Sequence, residues 1–444
     1  MDGPRVAVVG GGLAGLAAAR RLREAGCSVC VLECRARLGG RATSDERQGF
    51  VLESGPHLVG AADRQLLELV RSAGLGERLL PLRPVRLEQL HRGGRQQIEP
   101  VGWRGVARLP GVRAYEAFRL RRMGRLMRRF EDIVDPGRPE RAARLDDRSV
   151  ADFVRLYFGS SVLRGWVAPL LAADLQAESD SASRLLFWLH LRARHAVPTG
   201  TFRAPLARLA EALAEPGQDR LECEVLGLEP ASGGGLQVHP REGASLEVDA
   251  VVVATPARPA QRLTEALLVS AERELLARGR MGPAIVMCAA LEGERVPCAT
   301  RIRVPPALGL PASVVMLEPG GGSARAPEGH SLAVLVATPG WSRTHLEAPD
   351  EAVEKELLGV LERLCPGAGS ALRFCALRRH AAALPRFDVG RYREIARLRR
   401  IEGECRAQGR RLYWAGDHLV GPTLEAAVGS GLRAAGELIG DFGL

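Results

Sequence analysis

The sequence predicts an α/β fold, in which a parallel sheet with a β-meander is joined to an α+β domain containing a helical subregion. Three stretches carry that expectation. Residues 6–41, VAVVGGGLAGLAAARRLREAGCSVCVLECRARLGGR, read as strand, glycine turn, helix and strand. Residues 248–257, VDAVVVATPA, read as a buried strand ending in Thr-Pro. Residues 411–438, RLYWAGDHLVGPTLEAAVGSGLRAAGEL, read as a short strand, a turn at Gly416-Asp417, and a helix rich in small residues.

The elements of the opening follow in order. The run from Arg5 to Val9 is apolar and ends in glycine, as a parallel strand covered on both faces does. From Leu13 to Ala25 the residues Leu13, Leu16, Ala17 and Leu22 mark one helical face, and Gly26 is a suitable terminator. Ser28 to Leu32 is the next strand. Gly10, Gly12 and Gly15 fall at the strand-to-helix turn, with Leu13 and Ala14 between the last two. In that context the first glycine permits a tight turn, the second lets a pyrophosphate approach the backbone, and the third lets helix and strand pack closely. The helix N-terminus adds unpaired N–H groups and a favourable dipole. Glu33, 18 residues after Gly15, stands where a carboxylate accepts hydrogen bonds from ribose hydroxyls. These features define a Rossmann-like dinucleotide-binding domain.

A second cluster follows Glu33: five residues, then Gly39-Gly40-Arg41, with Arg37 just before it. This E-x5-GGR pattern resembles the FAD site of the flavin amine oxidase superfamily, and GFVLESGPHL at residues 49–58 extends the resemblance. The chain is most similar to its protoporphyrinogen oxidase and carotenoid desaturase-like members. The resemblance implies FAD as cofactor in a domain of the GR2 type, with Arg37, Gly39, Gly40 and Arg41 at its pyrophosphate and ribityl region. It also places Gly55, Pro56 and His57 beside the flavin. At the far end it makes Asp417, after Gly416, the ribityl ligand, with Thr423, Leu424 and Glu425 near the isoalloxazine edge. Strands at Leu221 to Leu228 and Leu236 to His239 flank a glycine turn, and Val225 on the first is expected at the cofactor. A helix dipole aimed at the ring would stabilise negative charge on reduced flavin.

The FAD domain is therefore expected from residues 1–80, 203–265 and 385–444, and the substrate domain from 81–202 and 266–384. The stretch from Arg148, RSVADFVRLYFGSSVLRGWVAPLLAADLQAES, has helical spacing. Trp166, Phe187 and Trp188 are candidates to line an apolar pocket, although aromatics at this spacing are more often plain core. Residues 112–134 are expected to form one basic amphipathic helix. Its apolar stripe is Tyr115, Met123, Leu126, Met127, Phe130 and Ile133; Arg121, Arg122, Arg125, Arg128 and Arg129 crowd the rest. It reads either as a peripheral contact with an anionic membrane face or as an ordinary surface helix.

Composition narrows the partners. The net charge of +10 is carried by arginine, with Lys355 the single lysine, and aromatic residues make up only 4%. Few stacking platforms and no nucleic-acid signature are present, so no nucleic-acid partner is expected. The nine cysteines form no disulfide framework. Cys27 and Cys30 have CxxC spacing, but strand alternation sends their thiols to opposite faces. With no apolar leader and no run of about 18 apolar residues, a cytoplasmic protein is expected. The nine histidines show no metal-type spacing, so no metal is expected.

In flavin chemistry the protein supplies position and electrostatics, so an acid–base pair is not required. His57 and His418 are the weak catalytic candidates, each with a structural hydrogen bond as its commoner role. Amine-oxidising members of the superfamily carry a lysine near the flavin. The corresponding stretch from Arg278, RGRMGPAIVMCAALEG, has none. The segment from Leu377, LRRHAAALPRFDVGRYREIARLRR, resembles the R-x-x-x-A-[IL]-P-x-[FY]-x-x-G-H segment of porphyrinogen oxidases, with Arg391 in place of the histidine. The ending GPTLEAAVGSG departs from the porphyrinogen pattern. The implied function is FAD-dependent dehydrogenation of a bulky apolar small molecule, most like proto- or coproporphyrinogen, with middle-domain arginines pairing with propionates. The alternatives are a polyisoprenoid desaturase or dehydroxylase, an amine-oxidase-like tailoring enzyme of specialised metabolism, and a non-catalytic flavin-binding assembly partner.

Overall fold

The computed structural model describes residues 3–55, 58–80, 82–98, 102–194, 199–321 and 325–444. Its first sheet has four parallel strands in the order Leu412–Trp414, Ala250–Val253, Arg5–Val9, Ser28–Leu32. Alternation along each strand feeds two separate cores. Val6, Val8, Ala250, Val252 and Tyr413 face the helices Leu13–Glu24 and Leu424–Phe442. Ala7, Val9, Val251, Val253 and Trp414 face an antiparallel meander of Val225–Pro230, Leu236–Pro240 and Leu246–Val248. Chain segments more than 200 residues apart thus become neighbours, and the carboxyl ends of the parallel strands come together at one edge. That edge is where ligands bind in open α/β sheets.

A second sheet of seven strands runs Leu372–Pro385, Met281–Glu292, His330–Ala337, Ala312–Pro319, Thr300–Arg303, Arg86–His91, Gly94–Gln97. All its neighbours are antiparallel except Thr300–Arg303 beside Arg86–His91. One face is covered by the helix Asp350–Leu364 through Val353, Leu357 and Leu361. The other face carries Val286, Val314 and Val336, which line the large cavity described below. A helical core built on Phe153, Trp166, Leu171 and Phe187 closes the far side.

The helical core and the parallel-sheet domain meet through the helix Arg391–Ala407, whose Tyr392 and Ile395 pack into the former and Leu398 into the meander core. Fully buried Asp146 secures its start by accepting hydrogen bonds from the amides of Gly390 (2.9 Å), Tyr392 (2.7 Å) and Arg393 (3.2 Å). A carboxylate there also meets the positive end of the helix dipole. Asp146→Ala is expected to cost about 2 kcal/mol, because three amides lose a charged acceptor and that of buried Tyr392 has no water to replace it. Urea denaturation measures it.

Several expected boundaries shift. The strand expected over Leu221 to Leu228 begins only at Val225. The helix Ser270–Ala277, expected in the substrate domain, places Leu275 and Leu276 in the meander core. Residues 112–134 are not one helix: Ala114–Arg119 and Met123–Arg129 are separated by a 3-10 turn, Leu120–Arg122. Met123 is buried, and Leu126, Met127, Phe130 and Ile133 pack against the helical core. That use of the stripe leaves Tyr115 and Phe118 exposed beside the arginines. Cys27 and Cys30 do face opposite cores, and all nine cysteines are free thiols. Among the described residues no helix is long and apolar enough to cross a membrane.

Candidate active site

A cavity of about 1060 Å³ opens at the carboxyl edge of the parallel sheet and runs under the seven-stranded sheet. Its first wall is the glycine turn. Gly10 has φ +109°, a conformation that side chains other than hydrogen rarely adopt. A Cβ on Gly15 would stand 2.0 Å from the Gly10 carbonyl oxygen, whereas one on Gly12 would meet nothing within 4 Å. Gly15 therefore serves helix–strand contact, while Gly12 faces open space at the start of the helix, on the cavity wall with Leu13 and Ala14. A dinucleotide pyrophosphate fits such a cradle. Buried Glu33 holds the loop, accepting from Gly11 N at 2.7 Å and Arg35 N at 3.0 Å. Its carboxylate oxygens retain acceptor capacity for hydroxyls.

The termini of the chain meet on the next wall. Arg41 grips Asp417 through both guanidinium nitrogens, Nη2 to Oδ1 at 2.8 Å and Nη1 to Oδ2 at 2.7 Å. Nη1 also donates to the Ala383 carbonyl at 2.6 Å, tying in the seven-stranded sheet. Gly39, Gly40, Gly55, Val225, Gly416, Thr423 and Leu424 line the same cavity. Thr423 caps the closing helix by accepting from Ala426 N at 3.1 Å, which aims the helix N-terminus at the cavity.

Two expected cofactor residues lie elsewhere. Arg37 is exposed and pairs with Asp45, and it is Arg35 that reaches the cavity. Glu425 turns away to accept from the amides of Gln65 (3.1 Å) and Leu66 (2.8 Å), capping the helix Arg64–Ser72. Pro56 and His57 lie outside the described residues. Of the three aromatic candidates Trp166 lines the cavity, whereas Phe187 and Trp188 belong to the helical core. Missed from the sequence were His380, on the strand Leu372–Pro385, and a buried group of Asp174, His190, Arg301 and Arg303 at the cavity's far end. His380 sits within the quoted LRRHAAALP segment, so its signal was present.

Both histidines on this wall are pushed toward the neutral form. Burial acts first on His380, then the charges of Arg378, Arg35 and Arg41. His418 is buried with neither ring nitrogen hydrogen-bonded to the protein, and burial lowers its pKa to about 3. It is therefore a neutral imidazole, not an imidazolium acid, at neutral pH. Unfolded, the same side chain titrates near 6.5, so the unfolded chain binds the extra proton first. Stability is then full above about pH 6.5 and falls as pH drops toward 3, by about 2 kcal/mol between pH 6.5 and 5. Denaturation of wild type and His418→Gln at several pH values should show a flatter acid limb for the variant.

The comparisons with known proteins agree with this geometry. Residues 13–439 match the family of flavin-containing amine oxidoreductases. The chain belongs to that family. It is an oxidoreductase whose cofactor is FAD. A Mycobacterium tuberculosis protein named as a flavin-containing monoamine oxidase is 33% identical over 196 residues, 42% of this chain and 40% of that protein. Coproporphyrinogen III oxidase of Propionibacterium freudenreichii is 29% identical over 178 residues, 40% of this chain and 32% of the enzyme. The matched stretches thus span less than half the length of these relatives. Cyclohexylamine oxidase from Brevibacterium oxydans shares the fold, with TM-score 0.75 and 18% identity over 100% of both chains.

Proposed function

We propose that the protein dehydrogenates a bulky, largely apolar substrate, most like proto- or coproporphyrinogen. The observation that carries this reading is the lobe of the cavity beyond the glycine turn. Its walls are Leu87, Leu109, Trp166, Leu170, Val314 and Val336. Walls of that polarity suit a large apolar body. When bound, FAD supplies the hydride acceptor. The chain's part is to hold the substrate's C–H bond in place and to stabilise negative charge at the helix N-terminus capped by Thr423. The coproporphyrinogen oxidase relative supports the reading. So does the lysine pattern: the strand Met281–Glu292 contains none, and Lys355 is exposed on the helix Asp350–Leu364.

An anaerobic titration separates the substrate classes. Protoporphyrinogen and coproporphyrinogen are expected to bleach the visible flavin absorption with matching porphyrin formation, whereas putrescine and cyclohexylamine leave it oxidised. Bleaching by the amines alone would refute the proposal.

A further inference from the structure

The basic segment carries exposed rings at one place. Among the described residues the exposed aromatic side chains are Tyr115 and Phe118, 62% and 49% exposed, both on the helix Ala114–Arg119. Half-buried Trp103 meets Phe118 edge-on, with ring centroids 5.3 Å apart. Leu156, 58% exposed near the end of the helix Val150–Tyr157, lies next to them: its carbonyl accepts from Arg119 Nη2 at 3.2 Å. The apolar stripe of the segment is taken up by the helical core, so Tyr115, Phe118 and Leu156 form a separate, outward group.

Positive charge surrounds this group. Residues 103–130 contain nine arginines and a single acidic residue, Glu116, which is buried and paired with Arg113. Arg104, Arg121, Arg122, Arg125 and Arg128 are exposed. Arg104 lies over the Trp103 ring at 5.4 Å and Arg121 over the Phe118 ring at 4.9 Å, so guanidiniums and rings interleave. Just beyond, Glu131 is paired with Arg192, and Asp152 and Asp180 with Arg155. The short helix Trp103–Ala107 is also a wall of the cavity. Gly105 and Val106 line it, as does Leu109, while Arg104 stands on the outer side.

We propose that this face docks on an anionic lipid bilayer. Two features select that occupant. Aromatic rings settle at the headgroup level of a bilayer, with apolar side chains such as Leu156 dipping beneath it. The arginines around them meet anionic headgroups, whose negative surface potential attracts basic residues. Docking itself does not depend on the reading of the lobe. Its use does: with one short helix between the patch and the lobe, a docked enzyme takes an apolar substrate from the lipid without passing it through water.

The test is sedimentation of the FAD-loaded protein with vesicles of phosphatidylcholine alone and of phosphatidylcholine mixed with phosphatidylglycerol. Binding to the mixed vesicles is expected to be about tenfold or more tighter, and high salt should reverse it. Arg121→Gln, Arg122→Gln and Arg125→Gln together should remove that preference, whereas the same change at the exposed Arg71, Arg241 and Arg400 should leave it. Phe118→Ser should weaken binding about tenfold with the lipid preference kept. Unchanged FAD content shows that the variants keep the fold, and the lipid comparison on wild type stands without them. Equal or absent binding to the two vesicle types would overturn the proposal. So would equal loss in the two triple variants, which assigns binding to net charge alone. Capture of a duplex oligonucleotide but not of vesicles would transfer the patch to nucleic acid and overturn the proposal as well. None of these outcomes bears on the porphyrinogen titration, so the docking surface and the substrate reading fail separately.

Discussion

Asp417→Ala is expected to give a colourless protein. Asp417 is nearly buried and holds Arg41 by two hydrogen bonds, and Arg41 in turn reaches the Ala383 carbonyl. Removing the carboxylate leaves that guanidinium without its counter-charge. Because the Arg41 side chain keeps 36% of its exposure, the stability loss should be about 2 kcal/mol, below the 3–5 of a fully buried pair. The larger effect falls on the cofactor. The pair joins the second glycine cluster to the closing segment, and with it gone neither wall is held to the other. FAD retention should fall by about 100-fold or more, which equals about 2.7 kcal/mol. The ratio of flavin to protein absorption after purification, and its recovery on adding FAD, measure this loss. Asp417→Asn keeps one acceptor oxygen and should retain more FAD than the alanine variant.

Two glycines of the first turn should fail in different ways. Gly15→Ala places a methyl 2.0 Å from the Gly10 carbonyl and 3.2 Å from Ala254 Cβ. Backbone sits on one side and Ala254, just past the strand Ala250–Val253, on the other, so the helix Leu13–Glu24 must lift from the sheet. A cost at or above the upper end of about 1–3 kcal/mol is expected, with or without FAD. Gly12→Ala meets nothing within 4 Å, and its backbone is in the extended region, with φ −75°. The variant should match wild-type stability to within about 0.5 kcal/mol in the absence of FAD. Its methyl instead enters the space a pyrophosphate needs, so FAD affinity should drop by about 100-fold. Urea denaturation of the apoprotein and a fluorescence titration with FAD separate the two losses. Equal instability of both variants would contradict the division of roles.

The contrast between these glycines shows what the sequence can disclose. Local sterics fix the turn, so its spacing and its three distinct roles are readable from six residues. The parallel strands are readable for a similar reason, since alternation on a doubly covered sheet demands apolar residues on both faces. Side-chain direction within a loop or around a helix is less legible. Arg37 and Arg35 lie two residues apart on one loop, and its path decides which of them faces the cavity. Glu425 sits where its helix begins, and only the packed neighbour Arg64–Ser72 makes it a cap. The buried group at Asp174 was not legible at all. Arg301 and Arg303 stand 127 and 129 residues from Asp174. Their alternation with Thr300 and Ile302 reads equally well as a strand facing solvent. The sheet order that turns this face inward is a tertiary fact. The segment 112–134 errs in the opposite direction, because a clean apolar stripe hid a break at Leu120–Arg122.

A crystal structure of the FAD-loaded protein would test the central claim most directly. FAD is expected to run from Glu33 past Gly12 and the Arg41–Asp417 pair to Leu424, with its ring facing the lobe lined by Trp166 and Val336 and that lobe left free for substrate. A ring lying outside this wall, or a lobe filled by protein side chains, would contradict it.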